Sequence, residues 1–476
     1  MAHCGRITVK RPRIGILFIT SGWFRDVGLQ GSHSELSREV ESLGEEIVQR
    51  LSRFVEPVYS GVQFSEKGAR AAAEEMKSQS VDGLIVAPLM WCEDQIFRAA
   101  LTNLPRLPLL LCLFLPYDTL PDFVPYEEML KGSGLVGTLQ ASGFLKREGY
   151  RYRALSGYYR DEALFDELKD HCAAMGISRS LQKARCGILP FRCDQMSTTY
   201  VDEFTLRKLY GVELVYLELQ RFKEQAGKVS GEEIRRFEKM ISALGWSVEV
   251  EQRNLTEAIR YALAMEKILK EDMIDIFAMN DIIAEMHDAF GLRPCLCNPR
   301  ISDAGIVVTM EADVAAGVAM FALRLFSDQM PFYSELFTAD IKANALLMGH
   351  PGYHSTVNHD ERFPVRVVSD VEYENTDPFT GASTYFKLKP GPVTAVNSVY
   401  TGEKLRWTVF EGESLEGNPK LEGCCHLFCK PDTAVGDICN RAAEIGVSQH
   451  WIVIHGHLAM RIERLCSWLN IDYQKL

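Results

Sequence analysis

Arg13–Ile19 reads RIGILFI and Val81–Ala87 reads VDGLIVA. Each is a short, nearly continuous apolar run, the pattern of a strand buried on both faces. Between them, Ser34–Phe54 places Leu36, Val40, Leu43, Ile47 and Leu51 on one helical stripe. Val55–Tyr59 reads as a short strand, Lys67–Ser78 as an Ala- and Glu-rich helix, and Pro108–Phe114 as another buried strand. Strands alternating with helices, the strands apolar throughout, predict a parallel, doubly wound sheet.

The same cycle starts again near residue 184. Arg185–Leu189 is strand-like and runs into a polar loop, Arg192–Thr199. Val212–Leu217 is the next strand, Gly231–Leu244 and Leu255–Leu269 read as helices, and Ile274–Met279 is a strand ending at Asn280 and Asp281. After about residue 330 helical periodicity fades. Val365–Val368, Ser383–Lys389, Val393–Tyr400 and Leu405–Glu411 are β-prone runs separated by Gly and Pro, as in a small barrel or sandwich. A helix, Met460–Leu469, closes the chain. The expected division is an α/β domain over 1–178, a second over 179–330 and a β-rich domain over 331–476, in keeping with 476 residues being too many for one core.

A formal net charge of −12 argues against nucleic acid or an anionic membrane as partner. The thirteen cysteines form no paired C-x-x-C frame, which predicts reduced, mostly structural thiols. The basic start, Met1–Arg13, leads into an apolar run too short for a secretory signal, and Leu107–Leu115 is about half the length of a membrane span and contains Pro108. These readings predict a soluble, cytoplasmic protein.

In open α/β sheets, ligands bind beyond the carboxyl ends of the strands. Four stretches put acids or imidazoles at such places. In Ile306–Val314 (IVVTMEADV) a buried strand ends at Thr309 and is followed by Glu311, Asp313 and an apolar helix; the plain alternative is a first-turn acid facing a helix dipole. In Tyr333–Ile341 (YSELFTADI), Glu335 and Asp340 lie among apolar and aromatic residues, where a buried carboxylate needs a cation. Gly349–His354 (GHPGYH) flanks a Pro-Gly turn with His350 and His354, and Val447–His457 (VSQHWIVIHGH) surrounds a strand with His450, His455 and His457. Jointly they suit a hard or borderline divalent cation, since no thiolate sits among them. No H-E-x-x-H, Walker A loop, G-x-G-x-x-G after a strand or G-x-S-x-G elbow is present.

The order of several stretches resembles the L-fucose/L-arabinose isomerase superfamily. They are Gly134–Gly157 (GLVGTLQASGFLKREGYRYRALSG), the CGILPFRCDQMSTTYVDEFTLRKLYGVELVYL run within Arg185–Leu217, Met310–Leu325, Phe337–His350, Phe386–Val393 (FKLKPGPV) and His450 before the last apolar strand. The resemblance implies two Rossmann-like parallel-sheet domains followed by a C-terminal β-barrel-containing domain. It also implies a divalent metal, usually Mn²⁺ with Mg²⁺, Co²⁺ or Fe²⁺ as alternatives, and a homo-oligomer with active sites shared between subunits. Carried over by residue, Glu311 and Asp340 match the acidic ligands and His450 the histidine ligand. His350 resembles an additional histidine, at a shorter spacing from Asp340. Gln449 stands where many relatives carry a second histidine.

The expected reaction moves a proton between C1 and C2 of an open-chain pentose, 6-deoxyhexose or acid-substituted hexose. Glu311 and Asp340 are the expected proton carriers as well as ligands, beside His450 and His350. Trp23, Trp91 and Gln95, in loops after N-terminal strands, and Arg192 and Met196 are candidate substrate contacts. Aromatics in such loops also serve subunit packing, and Arg192 also suits a surface salt bridge. A sugar-binding or sensory protein on the same domains is the rival class, and a metal-dependent lyase or epimerase shares the enediolate chemistry.

Overall fold

The computed structural model describes residues 11–27, 36–373 and 378–476. The basic start, Met1–Lys10, and the first two residues of the helix expected from Ser34 lie outside the described residues. The chain forms two compact units that meet in sequence between Arg179 and Ser180.

Among the described residues the first unit holds five strands, β1 (Arg13–Ile19), β2 (Glu56–Val58), β3 (Gly83–Pro88), β4 (Leu109–Leu115) and β5 (Tyr152–Tyr158). They form a wholly parallel sheet in the order β2-β1-β3-β4-β5. The apolar runs are buried almost throughout in β1, β3 and β4, as predicted. The edge strand β5 has no fully buried residue, so no apolar run announces it. Helix Glu66–Ser78 turns Ala69, Ala72, Ala73 and Met76 inward, and its N-cap Ser65 accepts from Gly68 N. Val86, Phe97, Leu111 and Phe144 belong to the core between sheet and helices; burying each such side chain contributes roughly 1.5–3 kcal/mol. The strand order reverses between β1 and β3, which opens a crevice at their carboxyl ends. Helix Gly134–Arg147 comes close there: a Cβ on Gly137 would meet Pro88 Cβ at 2.8 Å.

The second unit begins with β6 (Arg185–Leu189) and β7 (Glu213–Tyr216). After β8 (Ser247–Val248), which joins a separate sheet, come β9 (Ile276–Met279) and β10 (Val307–Thr309). These build a four-stranded parallel sheet, β10-β9-β6-β7. The chain then enters a barrel through β11 (Phe332–Asp340) and β12 (Ala345–His350). It leaves it for β13 (Arg366–Val368) and β14 (Ser383–Tyr385), which pair with each other, β13 also pairing with β8. It returns through β15 (Gly391–Tyr400), β16 (Leu405–Ser414), β17 (Cys425–Pro431) and β18 (His450–His455). The order β15-β18-β11-β12-β17-β16, with β15 also bonded to β16, closes a six-stranded antiparallel barrel. β19 (Asp472–Lys475) adds to β16 in parallel. Of the four β-prone runs read from sequence, the last two are barrel strands and the first two belong to the small separate sheet.

Helix Val314–Ser327 joins the two parts of this unit. It is apolar all round and buried at every position from Val314 to Arg324, as a helix enclosed on both sides must be. One side meets β9 and β10, the other β15 and β18. Gly317 permits the approach to the parallel sheet, since a Cβ there would meet Ile276 Cγ2 at 2.6 Å. Among the described residues no helix is long and apolar enough to cross a membrane. Every described cysteine is a free thiol, and all but Cys439 are buried.

Candidate active site

The start of that central helix sets the site. After β10 the chain reaches Glu311 and Ala312 in left-handed backbone, at φ 57° and 54°. That conformation costs a non-glycine residue about 1–2 kcal/mol and needs support. Asp281 Oδ1 supplies it by accepting from Glu311 N at 2.9 Å, and Met279 O accepts from Ala312 N at 3.0 Å. Asp313 then caps the helix, its Oδ1 accepting from Ala316 N at 2.9 Å. The turn thereby points Glu311 away from the helix and toward one end of the barrel.

Three neighbouring barrel strands bring the other groups. Glu335 on β11 lies directly across from His450 on β18 and from Gly349 on β12, with His350 the next residue along. Glu311, Glu335, His350 and His450 can each offer one ligand atom, all within 4.8 Å of one another. His450 Nε2 is 2.8 Å from Glu311 Oε2, and His350 Nε2 is 3.7 Å from Glu311 Oε1. Both imidazoles are fixed from behind. His350 Nδ1 donates to Pro351 O at 2.6 Å, and His450 Nδ1 donates to Asp313 Oδ2 at 2.7 Å. Each ring therefore turns Nε2 inward, the arrangement that orients histidine toward a metal. Tyr333 is wedged against both rings, with centroids 4.9 Å from His350 and 4.8 Å from His450.

This donor set fits a divalent cation. His350 Nε2 is buried and has no hydrogen-bond partner, and buried nitrogen is rarely left so. Two carboxylates and two imidazoles without a thiolate match Mn²⁺, Fe²⁺, Co²⁺ or Mg²⁺ better than a soft ion. The charges follow from burial and pairing. Burial pushes Glu335 up to about 7. Burial opposes ionisation of Glu311 too, but the hydrogen bond from His450 and the nearby imidazoles hold it below the usual carboxylate range. Burial drives His350 down to about 3. Burial would lower His450 as well, yet Asp313 and Glu311 on its two nitrogens lift it to about 9.

Asp340, expected as the second acid, is not in this group. It is exposed, five residues beyond Glu335 and roughly 16 Å further along an extended strand. Its Oδ1 accepts from Ala343 N at 2.9 Å in the β11–β12 hairpin. Glu335 is in the group instead because it pairs with His450 of β18, whereas β11 runs on past it, through a bulge between Leu336 and Thr338, to Asp340 in the hairpin, a register that acid spacing alone cannot reveal. His354, His455 and His457 are also elsewhere. His354 stacks on Phe332 and bonds His350 O, His455 faces Lys389 O, and His457 lies near Glu411 in an outer group that Lys475 already neutralises.

The loop Arg192–Thr199 does reach the site. It leaves the carboxyl end of β6, where the order of the second parallel sheet reverses, and Asn280 Nδ2 holds its base through Phe191 O and Arg192 O at 3.2 and 3.1 Å. Met196 Sδ accepts from Gln449 Nε2 at 2.8 Å, and that same nitrogen is 3.5 Å from Glu311 Oε2. Arg192 is exposed, paired with Asp194 at 2.8 Å and laid over the Tyr200 ring at 4.4 Å. In the first unit, Trp23 and Trp91 follow β1 and β3 at the switch point, where Ser21 N bonds Trp91 O at 3.0 Å. Trp23 is 41% exposed, Trp91 donates through Nε1 to Gln140 Oε1 at 2.9 Å, and Gln95 is exposed on helix Asp94–Leu101.

Behind Glu311 lies a group that carries no local sequence signal. Arg293, 1% exposed, bonds Asp281 Oδ2 at 3.1 Å and both oxygens of Asp370 at 2.6 and 2.7 Å, and also meets Glu372. Arg293 thus balances the acid that braces the Glu311 backbone.

No family model matches the chain. Two known proteins are similar to it, a sulfoquinovose isomerase from Priestia aryabhattai and a sulfoquinovose isomerase from Priestia megaterium. Each is 21% identical over 350 residues, which cover 72% of this chain and 76% of the relative. The likeness is distant, covers most of both chains, and is to an isomerase that acts on a sugar.

Proposed function

We propose that this chain is a metal-dependent ketol isomerase that interconverts an aldose and a ketose in open-chain form. The likeness to two sugar isomerases over most of the chain supports the reaction class. The observation that carries the metal dependence is the meeting of Glu311, Glu335, His350 and His450 in a buried, thiolate-free shell with His350 Nε2 unpartnered. A divalent ion held by these four side chains would polarise a sugar carbonyl and offset the charge of an enediolate.

The chain's own residues do the rest. Glu335 is the carboxylate assigned to take the proton from one carbon and return it to the other; before a cation binds, burial pushes its carboxyl up to about 7. Glu311, held ionised, is the second carboxylate flanking the C1–C2 bond. Asp313 keeps a proton on His450 Nδ1 and so keeps Nε2 facing the shell. Asp281, balanced by Arg293, fixes the Glu311 backbone.

Pentoses, 6-deoxyhexoses and acid-substituted hexoses are the substrate classes, and the relatives' name puts an acid-substituted hexose first. Arg192 is the cation in the site loop that such a group would meet, by exchange with Asp194. Trp23, Trp91 and Gln95 of a neighbouring copy in a homo-oligomer would line the far end of the sugar. The test is product analysis by NMR over a panel of these sugars, with Mn²⁺ and with chelator. Metal-dependent conversion of one aldose to its ketose supports the reading. Epimers or cleaved products alone, or no product from folded, metal-loaded protein, would sink it.

A further inference from the structure

Gln449 precedes His450 at the foot of β18, and its amide is bonded on every side. Nε2 donates to Met196 Sδ at 2.8 Å and to Glu311 Oε2 at 3.5 Å, while Oε1 accepts from Thr198 Oγ1 at 2.9 Å. These partners belong to two different parts of the fold. Met196 and Thr198 form the outer part of the loop after β6, and Glu311 belongs to the turn after β10. The base of the loop is held independently, by Asn280 and by the buried Cys193. Its outer part is more open, with Thr198 exposed and Met196 half-buried.

The residue type matters. A primary amide has two donors and an acceptor on one planar group. A histidine would have too few hydrogens for both Met196 and Glu311 while accepting from Thr198. A glutamate would have no donor and would set a second negative charge beside Glu311.

From this geometry we propose that Gln449 is a positioning residue that latches the loop Arg192–Thr199 onto Glu311, and so determines how a substrate's hydroxyl-bearing carbons are held beside the ligand shell. The substrate consequence rests on the isomerase reading above; the latch itself does not.

Two readouts keep the two apart. The first is a double-mutant cycle on KM for the best sugar, using Gln449→Met, which keeps length and shape, and Thr198→Val, a mild change at an exposed position. Thr198→Val, which removes one neutral hydrogen bond, is expected to raise KM about five-fold, and Gln449→Met, which removes that bond together with those to Met196 and Glu311, at least five-fold, with kcat within about two-fold in both. The double variant is expected to be no worse than Gln449→Met alone, because both cut the same tie. KM effects that multiply would overturn the latch, as would an unchanged KM in Gln449→Met. The second readout is amide hydrogen exchange of residues 196–199 in the metal-free protein, expected to be about five-fold faster in Gln449→Met than in wild type. Unchanged exchange also overturns the latch. Faster exchange in a protein that isomerises no sugar would leave the latch standing and remove the isomerase reading.

Discussion

Raising the pH should tighten metal binding, and the structure says by how much. Two of the four groups in the shell hold protons that a cation must displace: Glu335, with a pKa near 7, and His450, near 9. The Nδ1 proton of His450 stays on the bond to Asp313, so the one lost is at Nε2. Both sites are mostly protonated at pH 6, and only His450 is at pH 8. Binding should therefore release about two protons at pH 6 and about one at pH 8, and the apparent Kd for Mn²⁺ should be roughly a thousandfold higher at pH 6 than at pH 8. Above pH 9 the dependence should flatten. Calorimetric titration of Mn²⁺ in two buffers of different ionisation enthalpy measures both the affinity and the proton count. Affinity that is constant from pH 6 to 8, or release of less than half a proton at pH 6, would show that these side chains do not form the ligand shell.

Three further outcomes follow from the same contacts. Asp313→Asn removes the carboxylate behind His450 and is expected to weaken Mn²⁺ binding about 10- to 100-fold with the fold retained, as followed by titration alongside circular dichroism. Glu335→Gln is expected to abolish measurable Mn²⁺ binding, whereas Asp340→Asn, at an exposed hairpin, should leave it within about two-fold and change stability by no more than about 0.5 kcal/mol; the reverse pattern would restore Asp340 as the ligand. In metal-free protein, His450 has a folded pKa raised from 6.5 to about 9, so its stabilising contribution is complete below 6.5 and is lost as pH rises through 9. The melting temperature without metal should fall between pH 7 and 9 and the gap to the Mn²⁺-loaded protein should widen, while a gap that is constant or shrinks would count against His450 as a ligand.

The sequence is most informative where one residue's neighbours along the chain decide its place. The apolar runs of β1, β3, β4 and β6 need burial on both faces, so the two parallel sheets are readable from them. Glu311 follows such a strand directly, and His450 opens one, so both fall at strand ends where ligands gather. Glu335 is visible as an acid in an apolar stretch, but its place in the group rather than Asp340's depends on pairing with β18, which lies more than a hundred residues away. Barrel closure is hidden for the same reason: the β15–β16 hairpin is local, whereas the β11–β18 contact is not. Val365–Val368 has the composition of a barrel strand, yet it pairs with β8 from the preceding α/β part. Nothing beside Arg293 in the sequence points to its three carboxylates, because Asp370 and Glu372 reach it only through the tertiary fold.

The most direct test of the central claim is solvent deuterium incorporation at C1 or C2 of an aldose, read by NMR with Mn²⁺ and again with chelator. Exchange is expected to require the metal, to accompany ketose formation, and to disappear in Glu311→Gln and Glu335→Gln but not in Asp340→Asn. Exchange that persists in chelator, or no exchange in any pentose, deoxyhexose or acid-substituted hexose from folded, Mn²⁺-loaded protein, would contradict that claim.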